Sequence, residues 1–149
     1  PATMRAAAKL MEYDFDASQV NRILDEITPE VARLSAYVLE NIKYTEHNAA
    51  YVVLDNETLA RFTLEDAGTA SIVPLVGKIS SVVCWTVIVQ QKDETYRLRI
   101  RSKGPVINEL AKEYAGGGHP LASGAILKSL DELPTYLAKL DKIAATAEK

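Results

Sequence analysis

Apolar residues recur at helical spacing through the first third of the chain and at strand spacing after it. Met4 to Met11 is small and apolar and predicts a helix ending before Asp14-Phe15-Asp16. Asp16 or Ser18 can cap a second helix, whose Val20, Ile23, Leu24 and Ile27 fall at the i, i+3, i+4, i+7 spacing of one buried face. Thr28-Pro29 combines an N-cap with proline at the first helical position, and it opens a helix with Val31, Leu34, Val38 and Ile42 on one stripe. Residues 1–45 are therefore predicted to be helical.

The texture then changes. Ala50 to Leu54 is a short valine-rich run, and Ser80 to Val89 a longer one, apolar on both alternating faces as in a central strand covered on each side. Between them, Glu57 to Val76 predicts two short helices broken near Gly68. A polar Gln91 to Glu94 turn returns the chain antiparallel as Thr95 to Arg101, where Tyr96, Leu98 and Ile100 alternate with Arg97, Arg99 and Arg101. Pro105 should open a helix with Val106, Ile107, Leu110 and Ala111 inward, ending at three consecutive glycines. Leu121 to Ser123 allows one helical turn, with Pro120 at its first position and Gly124 after its end, before a last strand at Ala125 to Leu127. Ser129 and Glu132 have capping-box spacing, and a final helix beginning near Pro134 carries Leu133, Leu137, Leu140 and Ala144. The pattern is that of an α/β fold, a mixed central β-sheet flanked by helices and preceded by N-terminal connecting helices.

The chain has 149 residues, 48% apolar and 25% charged, in keeping with one substantial core. A net charge of -3 gives no global pull toward polyanions, so any such site must be a local basic patch. The single cysteine, Cys84, rules out an intramolecular disulfide and lies in an apolar run, as a buried thiol would. No apolar stretch is long enough to span a membrane and no secretory leader is evident, so the cytoplasm is the expected compartment. Pro1 at the start and Met4 inside a helical pattern suggest that further chain precedes this one.

The candidate chemistry gathers in two places. Along the returning strand, alternate arginines stand roughly 6 to 7 Å apart, close to the span between successive phosphates. Arg97 and Arg99 could equally be solvated or paired with acids, but Arg101 is followed at once by Ser102 and Lys103, a fork-shaped cation, a hydroxyl and an ammonium suited to an oxyanion. Gly116, Gly117 and Gly118 could present successive N–H groups as a concave anion nest, with His119 where the nest meets the short helix. The plain alternative is a helix end followed by a flexible loop. Tyr114 is a candidate for base stacking, whereas Trp85 reads as core and His47 as a helix-end or solvated group. The pairs Asp14 with Asp16 and Glu65 with Asp66 read as solvated acids rather than metal ligands.

The stretch Gly116-Gly117-Gly118-His119-Pro120-Leu121-Ala122-Ser123-Gly124-Ala125 resembles the GGGHxxAAG signature of the DHH-associated domain, the C-terminal substrate-binding domain of the DHH phosphoesterase superfamily. The run from Arg99 to Tyr114 resembles that family's strand, Arg-Ser element and helix, and residues 1–28 resemble its interdomain helical segment. Ser123, where the signature usually has alanine, is a mild departure. Within the superfamily, the nanoRNase and pAp-phosphatase group is the most similar.

The resemblance implies a helical connector over 1–45, leading from an N-terminal DHH domain, and a substrate-binding domain over 46–149. It implies a manganese-dependent hydrolase of short single-stranded RNA or of 3′-phosphoadenosine 5′-phosphate, with the metal held in that N-terminal domain. This chain has only His47 and His119 and no Asp-His-His stretch, so no catalytic residue, metal or cofactor is expected within it. By matched position Arg101, Ser102 and Lys103 would hold phosphate or a terminal nucleotide, Gly116 to Gly118 would supply donors, and His119 would contact phosphate. The partners implied are the nucleotide and the N-terminal domain, with no membrane and with room for a homodimer. Other branches, namely single-strand exonucleases, cyclic-dinucleotide phosphodiesterases and exopolyphosphatase-like proteins, are alternatives, as is a non-catalytic nucleic-acid-binding module of the alanyl-tRNA synthetase kind.

Overall fold

The computed structural model describes residues 1–13 and 16–147. In chain order its elements are α1 (Ala2–Leu10), α2 (Ala17–Asp25), α3 (Pro29–Asn41), β1 (Lys43–Tyr44), β2 (Ala49–Leu54), α4 (Asn56–Arg61), a 3₁₀ segment (Asp66–Ile72) and α5 (Val73–Val76). There follow β3 (Cys84–Gln90), β4 (Tyr96–Ser102), α6 (Asn108–Glu113), β5 (Gly117–His119), β6 (Ala122–Leu127), a 3₁₀ turn (Leu130–Glu132) and α7 (Leu133–Ala144). The break expected at Asp14-Phe15 lies outside the described residues. No helix among those described is long and apolar enough to cross a membrane.

The strands form one mixed sheet in the order β1-β2-β3-β4-β6-β5. β2 and β3 are parallel, and every other pairing is antiparallel. β3 is buried on both faces, as its unbroken apolar run requires. One face carries Val52, Leu54, Trp85, Val87 and Val89 under Leu34 and Val38 of α3, Leu59 of α4, and Ile72, Val73 and Val76. The other carries Ile88, Leu98, Ile100, Ala125 and Leu127 under Leu110 of α6 and Tyr136 and Leu140 of α7. Trp85 is core, as expected, with its Nε1–H donating to the Val73 carbonyl at 2.6 Å.

Several local expectations give way. α2 forms with Asp16 as its N-cap, but Val20, Ile23, Leu24 and Ile27 are 42 to 76% exposed rather than buried. Amphipathic spacing specifies a helix and a face, not what covers that face. The break in 57–76 falls at Phe62 to Glu65, with Thr63 at φ 57°, while Gly68 lies inside the 3₁₀ segment. A Cβ on Gly68 would meet only the Leu64 side chain, whose Cδ2 at 2.8 Å can swing aside. β3 starts at Cys84 rather than Ser80, because the chain before it is taken up in turns, the Ile79 amide donating to the Val76 carbonyl and the Val82 amide to that of Ile79, each at 3.2 Å. The helix expected from Pro105 starts at Asn108 and leaves Val106 54% exposed.

Candidate functional site

The largest departure is at the glycines. In place of a nest and a one-turn helix, Gly117 to His119 form the edge strand β5, and Pro120-Leu121 turn directly into β6. The turn is pinned from outside, since the Ile107 amide donates to the Pro120 carbonyl at 2.8 Å and the Ser102 amide to that of Leu121 at 3.0 Å. The Gly116 N–H is spent on the Ala111 carbonyl at 2.9 Å, closing α6. Gly124, expected as a helix terminator, sits mid-strand in β6.

The three glycines answer to two different demands. A Cβ on Gly116 would stand 2.0 Å from the Gly124 carbonyl oxygen, and Gly118 has φ +137° with the Ala122 oxygen 2.7 Å from its would-be Cβ. Both are dictated by close backbone approach to β6. Gly117 has nothing within 4 Å of that position. Its missing side chain leaves space on the outside of the protein.

That space is the floor of a cleft. Antiparallel register sets Arg99 beside Gly124 and Gly124 beside Gly117, and sets Arg101 beside Ala122 and Ala122 beside His119. Directly opposed residues share a sheet face, so two rows run from an arginine on β4 across a small residue to β5. The helices over this face cover β2 and β3 and stop, leaving β6 and β5 bare, with Ile126 46% exposed. The cleft measures about 450 Å³ and is lined by Arg97, Arg99, Arg101, Gly117, Ala122 and Gly124 among others. With neighbouring strands about 4.8 Å apart, Arg101 and His119 stand about 10 Å apart with only a methyl between them. A guanidinium and an imidazole flank a flat, small-residue floor.

The three arginines differ in their partners. Arg97 and Arg99 both bond Asp66, at 2.6 and 2.8 Å. The Arg101 guanidinium reaches only carbonyls, of Ile100 at 2.8 Å and Ser123 at 3.4 Å, and has no carboxylate partner among the described residues. Ser102 lies on the opposite face, buried, accepting from the Gly104 amide. Lys103 Nζ donates to the Ile79 carbonyl at 2.6 Å. Tyr114 packs edge-on against Tyr136 at 5.3 Å, in the cluster under α6 and α7. The structure therefore places Arg101, Gly117 and His119 on one face of the sheet, with Arg101 and Gly117 lining the cleft, and sets Ser102, Lys103 and Tyr114 apart from them.

Asp66 is not the solvated acid its sequence context suggests but the shared partner of two arginines, and Ala122 and Gly124 line the cleft although nothing in the sequence reading assigns them to it. Asp66 is far in sequence from its arginines, and no spacing rule connects them. The alternation of small residues at Ala122 and Gly124 was the available signal for a strand floor.

A metal centre does not fit this cleft. The one group of described residues able to hold a cation is Glu46, His47 and Asp141. It lies between β1 and β2 and on α7, toward the other edge of the sheet. There His47 Nδ1 already meets Asp141 Oδ2 at 2.7 Å, and a single imidazole with two carboxylates is too small a donor set for two-metal hydrolysis. His47 is thus paired with an acid rather than merely solvated.

A family model described as the DHHA1 domain matches residues 48–146. The chain is 47% identical over 130 residues to the probable bifunctional oligoribonuclease and PAP phosphatase NrnA of Streptococcus mutans, covering 87% of this chain and 42% of that protein. It is 38% identical over 146 residues to the bifunctional oligoribonuclease and PAP phosphatase NrnA of Bacillus subtilis, covering 98% and 46%. An exopolyphosphatase-related protein from Bacteroides fragilis superposes with a TM-score of 0.84 at 22% identity, over 97% of this chain and 45% of that one. The chain spans less than half the length of these relatives.

Proposed function

The chain belongs to the DHHA1 domain family, and from that premise we propose that it is the nucleotide-gripping part of a manganese-dependent DHH phosphoesterase that hydrolyses short oligoribonucleotides or 3′-phosphoadenosine 5′-phosphate. The carrying observation is Arg101, a cation with no carboxylate partner among the described residues, at the edge of an open, small-residue floor, with His119 across Ala122. A guanidinium fork bonds two phosphate oxygens at once, and an imidazole on the far side can donate to a third. Gly117 lets the nucleotide lie against the backbone. Ser102, Lys103, Gly116 and Gly118 serve this site by shaping the strand ends and the glycine turn, and Tyr114 by seating α6. Metal and the attack on phosphorus belong to a DHH domain to which residues 1–45 connect, the exposed apolar faces of α1 and α2 being in keeping with such a neighbour.

Chemical-shift titration of the chain with 3′-phosphoadenosine 5′-phosphate and with RNAs of two to five nucleotides, against inorganic phosphate, tests the reading. Saturable shifts at Arg101, Gly117 and His119, lost in Arg101→Ala and kept in Arg97→Ala, are expected. Equal effects of the two substitutions would remove the strand-end assignment.

A further inference from the structure

The arginine face of β4 holds two different kinds of cation. Arg101 is open, whereas Arg97 and Arg99 converge on one carboxylate, each oxygen of Asp66 taking one guanidinium. Arg99 also donates to Thr69 Oγ1 at 2.6 Å and to the Asp66 carbonyl at 3.4 Å. The Thr69 hydroxyl donates to that same carbonyl at 2.6 Å, and Thr69 is buried, so the first turn of the 3₁₀ segment is fixed under the arginines. Asp66 is 22% exposed and Arg99 17%, which shields this pairing more than an ordinary surface ion pair, while Arg97 remains 51% exposed.

The position of this carboxylate matters because of the stride of the strand. Three guanidiniums at roughly 6 to 7 Å intervals would form a ladder for three successive phosphates. The cleft beside Arg101 meets a larger one of about 910 Å³ at Arg97 and Ile126, and Asp66 lines the larger one. A strand continuing from Arg101 past Arg99 toward Arg97 therefore meets two guanidiniums whose Nη1 groups are already engaged by one carboxylate, which cancels part of their charge.

We propose that Asp66 is a length-limiting carboxylate, which withholds Arg97 and Arg99 from phosphate and confines nucleic-acid capture in this groove to the few nucleotides held at Arg101. The proposal rests on the reading of that groove as a nucleotide site.

The test measures equilibrium binding of RNAs of two, five and ten nucleotides between 50 and 200 mM salt by the chain and its variants. The unsubstituted chain should show one salt slope for all three lengths. Asp66→Asn should steepen the slope for the ten-nucleotide RNA by about 0.7 for each phosphate newly engaged, leaving the dinucleotide unchanged. Arg97→Gln in the otherwise unsubstituted chain, which does not depend on how Asp66→Asn folds, should change no affinity at any length. Binding that needs Arg101 but shows no gain of length dependence in a folded Asp66→Asn, or that weakens with length in Arg97→Gln, overturns the length limit alone. Dinucleotide binding indifferent to Arg101→Ala overturns the groove reading and this proposal with it.

Discussion

Three adjacent glycines with unequal reasons for being glycine make a sharp residue-scale test. Gly116→Ala drives a Cβ into the Gly124 carbonyl, which is backbone and cannot swing aside, so it should cost about 1–3 kcal/mol. Gly117→Val places a strand-favouring side chain in open space and should leave stability within about 0.5 kcal/mol while abolishing nucleotide shifts. Denaturant melts and the same titration on both variants separate the two roles; normal affinity in Gly117→Val would take the glycine floor out of the site. Cys84 offers a second test. Burial, with the Asp141 charge adding to it, pushes its thiol from 9.0 to about 12. The native protein should resist maleimide at pH 8 and react only when unfolded, where the thiol returns to an ordinary value.

Among the elements, legibility followed the side chains. Strand β4 was readable because Leu98 and Ile100 alternate with arginines, and α3 because Thr28-Pro29 marks its start. Strand β5 was not, because glycine carries no hydropathy period and Pro120 suits a hairpin turn as well as a helix start; only pairing with β6 distinguishes them. Ion pairs between distant segments were equally invisible, Asp66 with β4 being one and Asp141 of α7 with the turn before β2 another. Desolvation raises the Asp141 pKa, but hydrogen bonds from the Thr45 hydroxyl and from the His47 ring and amide, with the His47 charge, outweigh it and hold the carboxyl below its ordinary value. A depressed carboxyl stabilises the fold above its unfolded pKa and loses that contribution as pH falls through the folded one. Asp141→Asn should therefore flatten the acid limb of stability below about pH 4. Denaturant midpoints from pH 2 to 7 measure this directly. Inside the second core, the Tyr136 hydroxyl meets Thr86 Oγ1 at 2.6 Å, tying α7 to β3. Tyr136→Phe should cost about 1–2 kcal/mol by leaving a buried hydroxyl without a partner.

At the scale of the whole molecule, burial shows where the self-sufficient unit starts. α1 and α2 bury none of their described residues, so they contribute no core area, whereas Leu34 and Val38 of α3 are fully buried against the sheet. Removing residues 1–25 should thus move the thermal midpoint by no more than about 3 °C and leave the Arg101 response to nucleotide intact. Removing residues 1–45 uncovers Val52, Val87 and their neighbours and forfeits about 1.5–3 kcal/mol for each large buried side chain lost, a sizeable share of the stability of a domain this size. Thermal melts of the two truncations discriminate sharply. A steep loss on removing 1–25 alone would mean that the exposed faces of α1 and α2 are satisfied by this chain itself, and the case for a neighbouring domain on those faces would fall.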